Sequence, residues 1–464
     1  MAKDFSTMGD SNRSANPSIH DLSDPARRLV LQGGLGALAA SLVGCATPAG
    51  SASLASAGPI IGFKPVPIST ADKVVVPEGY TATPIAPWGE PVGIAGRMPA
   101  FKLDASNTAE EQALQMGMHH DALHYYPLDG SRRGLLAINQ EYTDDGLLHA
   151  DGQKTWTLEK VRKAQASHGI TVIEVELKDD RWQVVRPSRY ARRITANTPF
   201  AIGGPAAGHP LMKTAADPAG RLVLGTIANC AAGKTPWGTY LSGEENFDNY
   251  FTAPDNRTAH EKRWGISKAT WYRWPEHDRR FDTLHTPNEP NRFGWIVEVD
   301  PTDPTSTPVK RTALGRAQHE GAWVAVTQDG RAVVYSGEDS RFEYIYKFVS
   351  RDRIAPAGNG KTAAQANAEL LDHGTLHVAK FEADGSGRWI PMVHGRGPLT
   401  QANGFADAGE VLIKTRQAAD LLGATKMDRA EWLTIEPGTR WVYCALTSNR
   451  ERGQKGVPGP AAAN

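Results

Sequence analysis

A cysteine, a tight turn and two adjacent carboxylates stand close together in one short stretch. It reads Asn229-Cys230-Ala231-Ala232-Gly233-Lys234-Thr235-Pro236-Trp237-Gly238-Thr239, then Tyr240-Leu241-Ser242-Gly243-Glu244-Glu245-Asn246-Phe247. The Gly and Pro residues fix a turn, and Tyr240-Leu241 reads as the end of a strand that brings Glu244 and Glu245 back toward the cysteine. A thiolate beside carboxylates is a metal ligand set in which the soft sulfur favours iron or zinc over calcium. The competing reading is a buried structural cysteine beside a solvated acidic turn, because a free Cys is often simply a small hydrophobe.

Further groups of the same kind recur along the chain. Gly117-Met118-His119-His120-Asp121 places two imidazoles and a carboxylate before a strand, a combination that binds metal in some proteins and is a surface loop in more of them. Asn139-Gln140-Glu141-Tyr142 closes a strand with an oxygen-rich pair, Asn139 and Glu141, suited to calcium. A solvated strand end is an equal alternative. Gln318-His319-Glu320-Gly321 is expected just before a strand beginning at Trp323, and Gly337-Glu338-Asp339-Ser340-Arg341 after the next one. Met427-Asp428-Arg429-Ala430-Glu431 sets a carboxylate beside a guanidinium, the side chain best shaped to grip phosphate at two points. Acidic residues thus recur where strands end, and in a propeller those ends converge on a central channel. The chain carries no Gly-x-Ser-x-Gly elbow, no phosphate-binding Walker loop and no His-Glu-x-x-His helix. None of its Asp-x-Ser triplets makes a convincing nucleophile of the zinc alkaline-phosphatase type.

The elements that must position these residues are mostly strands. Runs at 134–139, 170–177, 221–227, 295–299, 323–327, 332–336, 344–349, 376–381 and 441–446 read as strands, with hairpin turns at 328–331 and 383–387. Two helices are expected, 157–168 behind an N-capping Thr157 and 415–422 ending at Gly423. Short strands without βαβ alternation predict an all-β chain, an irregular β-propeller or a large sandwich. The charged, aromatic and Pro-rich segment 251–292 reads as a long excursion from one blade.

Lys+Arg and Asp+Glu both total 51 in 464 residues, so nothing in the charge balance calls for a nucleic-acid partner. Gly at 46 and Pro at 31 make the chain turn-rich, and 3 cysteines are too few for a disulfide framework. Residues 1–58 read as a targeting segment and linker, and 59–464 as the folded body. Arg27-Arg28 before the weakly apolar, Gly-containing run 29–43 has the pattern of a twin-arginine signal. Leu42-Val43-Gly44-Cys45 resembles a lipobox with Cys45 as the acylation site, the alternative being an ordinary signal cleaved near Ala46 or Ala52. The expected location is therefore the periplasm, the outer membrane or the exterior. The twin-arginine route carries proteins already folded around a cofactor, which suits a metal loaded before export. Cys230 and Cys444 remain in the body, and the sequence leaves open whether they pair.

Taken together, Asn229–Thr239 with Gly243-Glu244-Glu245-Asn246-Phe247, His120-Asp121, the 139–142 and 338–348 segments, His319-Glu320-Gly321 and Arg429-Ala430-Glu431 resemble the PhoX family of bacterial alkaline phosphatases. The resemblance runs from about residue 75 to the C-terminus. It implies an irregular six-bladed propeller whose channel holds iron and calcium and hydrolyses phosphomonoesters outside the cytoplasm. By position, Cys230 would be an iron ligand supported by Glu245, Glu320 and Glu431, and Arg429 would bind the substrate phosphoryl group. Asp121, Asn139, Glu141 and Asp339 would complete the metal shell. A metal centre can activate water, so a serine or aspartate nucleophile is not required. Two departures stand out. Gln140 occupies the place of a usual His, and the chain ends at Asn464 before the family pattern is complete, so a truncated propeller is expected. Two other readings compete with a monomeric metallophosphatase. One is a calcium-dependent propeller hydrolase of lactones or phosphotriesters, which would need neither Cys230 nor Arg429. The other is a lipid-anchored binding propeller with structural calcium.

Overall fold

The computed structural model describes residues 63–454, so the twin-arginine, lipobox and linker expectations for 1–58 fall outside the described residues. The chain divides into two compact units, a small one whose described part is 63–84 and a large one described over 85–454. The described residues of the small unit form no helix or strand, and the rings of Phe63 and Tyr80 meet edge-to-face there at 5.5 Å.

Among the described residues, the large unit is built from four sheets. The first contains β1 (His120–Asp129), β2 (Arg133–Gln140), β3 (Gly169–Lys178) and β4 (Arg181–Val184) in that order, with β5 (Arg192–Ile194) also on β3. Its central strand β3 is apolar on both faces through Ile170, Val172, Ile173 and Val175, as a strand covered on both sides must be. The second sheet comprises β6 (Pro199–Gly203), β7 (Leu222–Leu224), β8 (Asn229–Lys234), β9 (Tyr240–Glu244), β10 (Ile296–Val299) and β11 (Val309–Arg311), ordered β7-β6-β11-β10-β9-β8. The third is a meander of β12 (His319–Val326), β13 (Arg331–Glu338), β14 (Ile345–Arg353), β15 (Gly374–Phe381) and β16 (Gly387–Pro391). The fourth pairs β17 (Ala430–Ile435) with β18 (Val442–Leu446). The edge strands β1, β8, β12 and β17 lie against one another, β8 touching both β1 and β12 and β12 touching β17. This is an all-β, propeller-like architecture.

Close approach of these inner strands depends on glycine. A Cβ on Gly233 would lie 1.8 Å from the carbonyl oxygen of Ala322, and one on Gly337 would lie 2.4 Å from those of Ala430 and Glu431. Both expected hairpin turns are present, with Gly330 and Gly385 at φ of 87° and 82°. Helix α1 (Leu158–Ser167) is capped by Thr157, whose side chain accepts from the Lys160 amide, and α2 (Thr415–Leu422) ends on left-handed Gly423.

Three local expectations change. Cys230 lies on β8, and the tight turn is confined to Thr235-Pro236-Trp237-Gly238, where the Thr235 hydroxyl accepts from the Thr239 amide at 2.8 Å. Strand β12 begins at His319 because that imidazole is buried and bonded to Ser336 Oγ at 2.7 Å and to the Gly315 carbonyl at 2.9 Å, so a polar residue sits inside a strand. The 251–292 excursion does join two strands of one sheet, but it is also core. Phe251, Trp264, Trp274 and Phe281 are fully buried with Phe247 and Phe293.

Candidate metal and phosphate site

One backbone arrangement occurs four times where the inner strands meet. In each inner hairpin a residue near the start of the inner edge strand pairs with the last residue of its partner. These pairs are His120 with Gln140, Asn229 with Glu244, His319 with Glu338, and Ala430 with Leu446. The next residue along the partner donates its amide back to the residue before the pair. Glu141 bonds to the His119 carbonyl at 3.0 Å, Glu245 to Ala228 at 2.9 Å, Asp339 to Gln318 at 3.1 Å and Thr447 to Arg429 at 3.2 Å. Three of the accepting residues, His119, Ala228 and Arg429, hold left-handed φ of 47°, 51° and 48°, a conformation that strains a non-glycine residue and recurs at functional sites.

A β-bulge follows each pair. Asp121, Cys230 and Glu431 lie within their bulges and Glu320 borders its own. A bulge sets two residues against one and re-aims a side chain that regular alternation would send elsewhere. Each inner strand therefore directs one ligand-type side chain inward, and three of the partner strands add a carboxylate just past their ends.

The result is a tight cluster. One ligand atom each from Asp121, Glu141 and Cys230 lie within 4.8 Å of one another, and so do those of Cys230, Glu245 and Glu320. Cys230 belongs to both groups, and its Sγ lies 3.1 Å from Glu320 Oε1. Beside the cluster Arg429 donates Nε and Nη2 to Asp339 at 2.8 and 2.7 Å, with Glu431 3.6 Å from Nη2. Arg429 and Glu431 have side chains 35% and 26% exposed, while Glu245 and Glu320 are buried, so the cluster opens to solvent on the Arg429 side.

The chain matches the family model "Alkaline phosphatase PhoX" over residues 61–464. It is also similar to the solved structure of Pseudomonas fluorescens PhoX in complex with vanadate, a transition state analogue. That match has 48% identity and a TM-score of 0.81, covering 86% of this chain and 70% of the other. This chain belongs to the PhoX alkaline phosphatase family. No curated protein matches it.

Electrostatics show what this PhoX centre demands. Burial pushes the Cys230 thiol far up, and Glu320, Glu245, Glu141 and Asp121 add to it. Burial likewise raises Glu245 and Glu320 well above the carboxylate range, with Glu320, Glu141 and Asp339 reinforcing the first and Asp339, Asp121 and Glu431 the second. Glu141 is pushed up to about 7 by burial, then by Asp121 and Asp339. Acids crowded together out of water can ionise jointly only with a compensating cation. Glu320 Oε2 is also buried without a hydrogen-bond partner, the condition of an atom that a ligand should complete. The donor set fits the metals expected from the sequence, since a thiol suits a softer ion such as iron and a run of carboxylate oxygens a hard one such as calcium.

Asn139 stands behind the cluster. Its Nδ2 donates to the Cys230 carbonyl at 2.5 Å and its Oδ1 accepts from the Tyr240 hydroxyl at 2.8 Å, so it positions the cysteine's strand. Gln140 has turned from the cluster, its Oε1 accepting from Arg193 Nη1 at 2.6 Å and Thr171 Oγ1 at 2.8 Å. Glu244 does not join Glu245. Adjacent strand residues face opposite ways, and Glu244 accepts from Lys310 Nζ at 2.7 Å in the core. Neither His119, stacked on Tyr142 at 3.8 Å, nor His120 joins either cluster. Cys230 and Cys444 are both free thiols. Sequence reasoning missed Tyr240 as an anchor and Thr447 as the fourth hairpin's counterpart of the carboxylates. The first is an ordinary strand aromatic, and the second shows only once the hairpins are aligned on their pairing.

Proposed function

We propose that this chain hydrolyses phosphomonoesters at an iron- and calcium-containing centre. The observation that carries the reading is the convergence of Cys230, Glu245, Glu320, Asp121 and Glu141 beside the solvent-accessible guanidinium of Arg429, in a chain 48% identical to a PhoX that binds vanadate, a transition state analogue. Cys230, Glu245 and Glu320 would hold iron, with Glu431, and Asp121, Glu141 and Asp339 would hold calcium. The chemistry these ions supply when bound is Lewis-acid neutralisation of the phosphoryl oxygens.

The protein's own contribution is geometry and exclusion of water. The four bulges aim the ligands before any metal arrives, and Asn139 with Tyr240 fixes the strand carrying Cys230. Arg429 offers a planar fork at the exposed side of the cluster, where it can hold a phosphoryl group in a fixed orientation. Burial of Glu245 and Glu320 keeps the inner side dry, where charge interactions are strongest.

The test is elemental analysis of the purified folded body together with turnover of p-nitrophenyl phosphate before and after chelation. Bound iron with turnover that calcium restores supports the reading. Absence of turnover in a protein that retains both metals would overturn it. Calcium-only turnover that survives loss of Cys230 would favour a lactonase or phosphotriesterase, a reading to which a thiol shared by both ligand groups is opposed. Export by the twin-arginine route with a lipid at Cys45, from the sequence of 27–45, and a monomeric state belong to the same proposal. Mass spectrometry of the mature N-terminus and sedimentation would check them.

A further inference from the structure

Three of the four inner hairpins place a carboxylate immediately after the partner strand: Glu141, Glu245 and Asp339. The fourth places Thr447 there, its amide shared between the Arg429 and Asp428 carbonyls, each at 3.2 Å. Its hydroxyl donates to the Arg429 carbonyl at 3.4 Å, and the threonine stands close enough to the Glu431 carboxyl to oppose the upward push of burial on that acid. Thr447 is half-buried, in the hairpin that carries Arg429, on the side where the cluster meets solvent.

We propose that Thr447 is a specificity-determining residue for the phosphoryl anion. By presenting a neutral hydroxyl where its three counterparts present a carboxylate, it keeps the Arg429 side of the cluster free of further negative charge. An acid at this place would compete for the guanidinium, two of whose nitrogens Asp339 already holds. It would also face the incoming dianion with a like charge, which costs several-fold to many-fold in binding. This inference rests on the phosphomonoesterase reading and deepens it.

The experiment compares wild type with Thr447→Ser, Thr447→Asn and Thr447→Asp in the metal-loaded protein. It measures inorganic phosphate binding by titration calorimetry, KM and kcat for p-nitrophenyl phosphate, and metal content. The expected result is that Thr447→Asp weakens phosphate binding and raises KM by about tenfold or more, with its metals retained. The neutral isostere Thr447→Asn should stay within a few-fold of wild type, and Thr447→Ser should recover most of the affinity. Equal impairment of the Asn and Asp variants, or an Asp variant that binds phosphate like wild type, would overturn the inference while leaving the phosphatase reading intact. A metal-loaded wild type that neither binds phosphate nor turns over substrate would overturn both.

Discussion

Arg429 and Asp339 form a two-point ion pair between the fourth and third sheets, Nε to Oδ1 at 2.8 Å and Nη2 to Oδ2 at 2.7 Å. The arginine starts from a left-handed backbone and the aspartate from just past the end of β13, so two hairpins remote in sequence agree on where one guanidinium stands.

That placement predicts the behaviour of Arg429 variants. Arg429→Ala should lower kcat/KM by about 10²- to 10³-fold, the usual cost of removing a group that stabilises transition-state charge. Arg429→Lys should recover only part of it, because an ammonium cannot make two parallel bonds. Metal content should stay at the wild-type level in both. Loss of iron from Arg429→Ala would show that the residue holds the centre together instead of binding substrate.

Cys230 is the atom common to both ligand groups. Replacing its sulfur with a harder oxygen in Cys230→Ser should strip iron and turnover together. Chelation of wild type should lower its melting temperature, since a ligand at a hundred times its Kd adds about 2.7 kcal/mol to the folded state. The variant should respond much less to the same chelator. An equal chelator effect on the two proteins would place the stabilising metal elsewhere.

Gly337 tests the packing of the inner strands. Its missing Cβ would lie 2.4 Å from two carbonyl oxygens of β17, and rigid backbone must give way. Gly337→Ala should cost about 1–3 kcal/mol of stability, the range for overpacking a filled interior. It should also reduce metal occupancy by displacing Glu431. Denaturant unfolding and elemental analysis read the two effects separately.

Buried histidines set the response to acid. Burial pushes His168 and His260 from 6.5 down to about 4. Between those values the unfolded chain binds protons that the folded one refuses, so folding stability rises with pH through this window and is lost as pH falls from 6.5 toward 4. His168 Nδ1 lies 2.6 Å from the Ala164 carbonyl and Nε2 lies 2.8 Å from the Tyr250 hydroxyl, a pairing satisfied by the neutral ring. His168→Gln should be less stable at pH 7 yet show a shallower loss between pH 6.5 and 4.5 in urea titrations. An unchanged slope would assign the acid sensitivity to other groups.

Much of this protein is written locally. The turn at Thr235-Pro236-Trp237-Gly238, the hairpins at Gly330 and Gly385, the cap at Thr157 and the stop at Gly423 each depend on a few neighbouring residues, and so were legible from residue type and spacing. The candidate side chains were conspicuous too, because a Cys, a guanidinium and recurring carboxylates at strand ends stand out chemically. Where those side chains point was not. Glu244 and Glu245 are equivalent on paper, yet strand pairing sends the first to Lys310 and the second to the cluster. Asn139 looks like an oxygen ligand until Tyr240 and the Cys230 carbonyl occupy it. The aromatic residues of 251–292 look like a loop until they are buried together. Sequence alone determined the inventory of groups and the turns between strands. The bulges, the pairing and the close approach of four inner strands decided which groups meet, because a side chain's direction in a sheet is set by partners far along the chain and not by its neighbours.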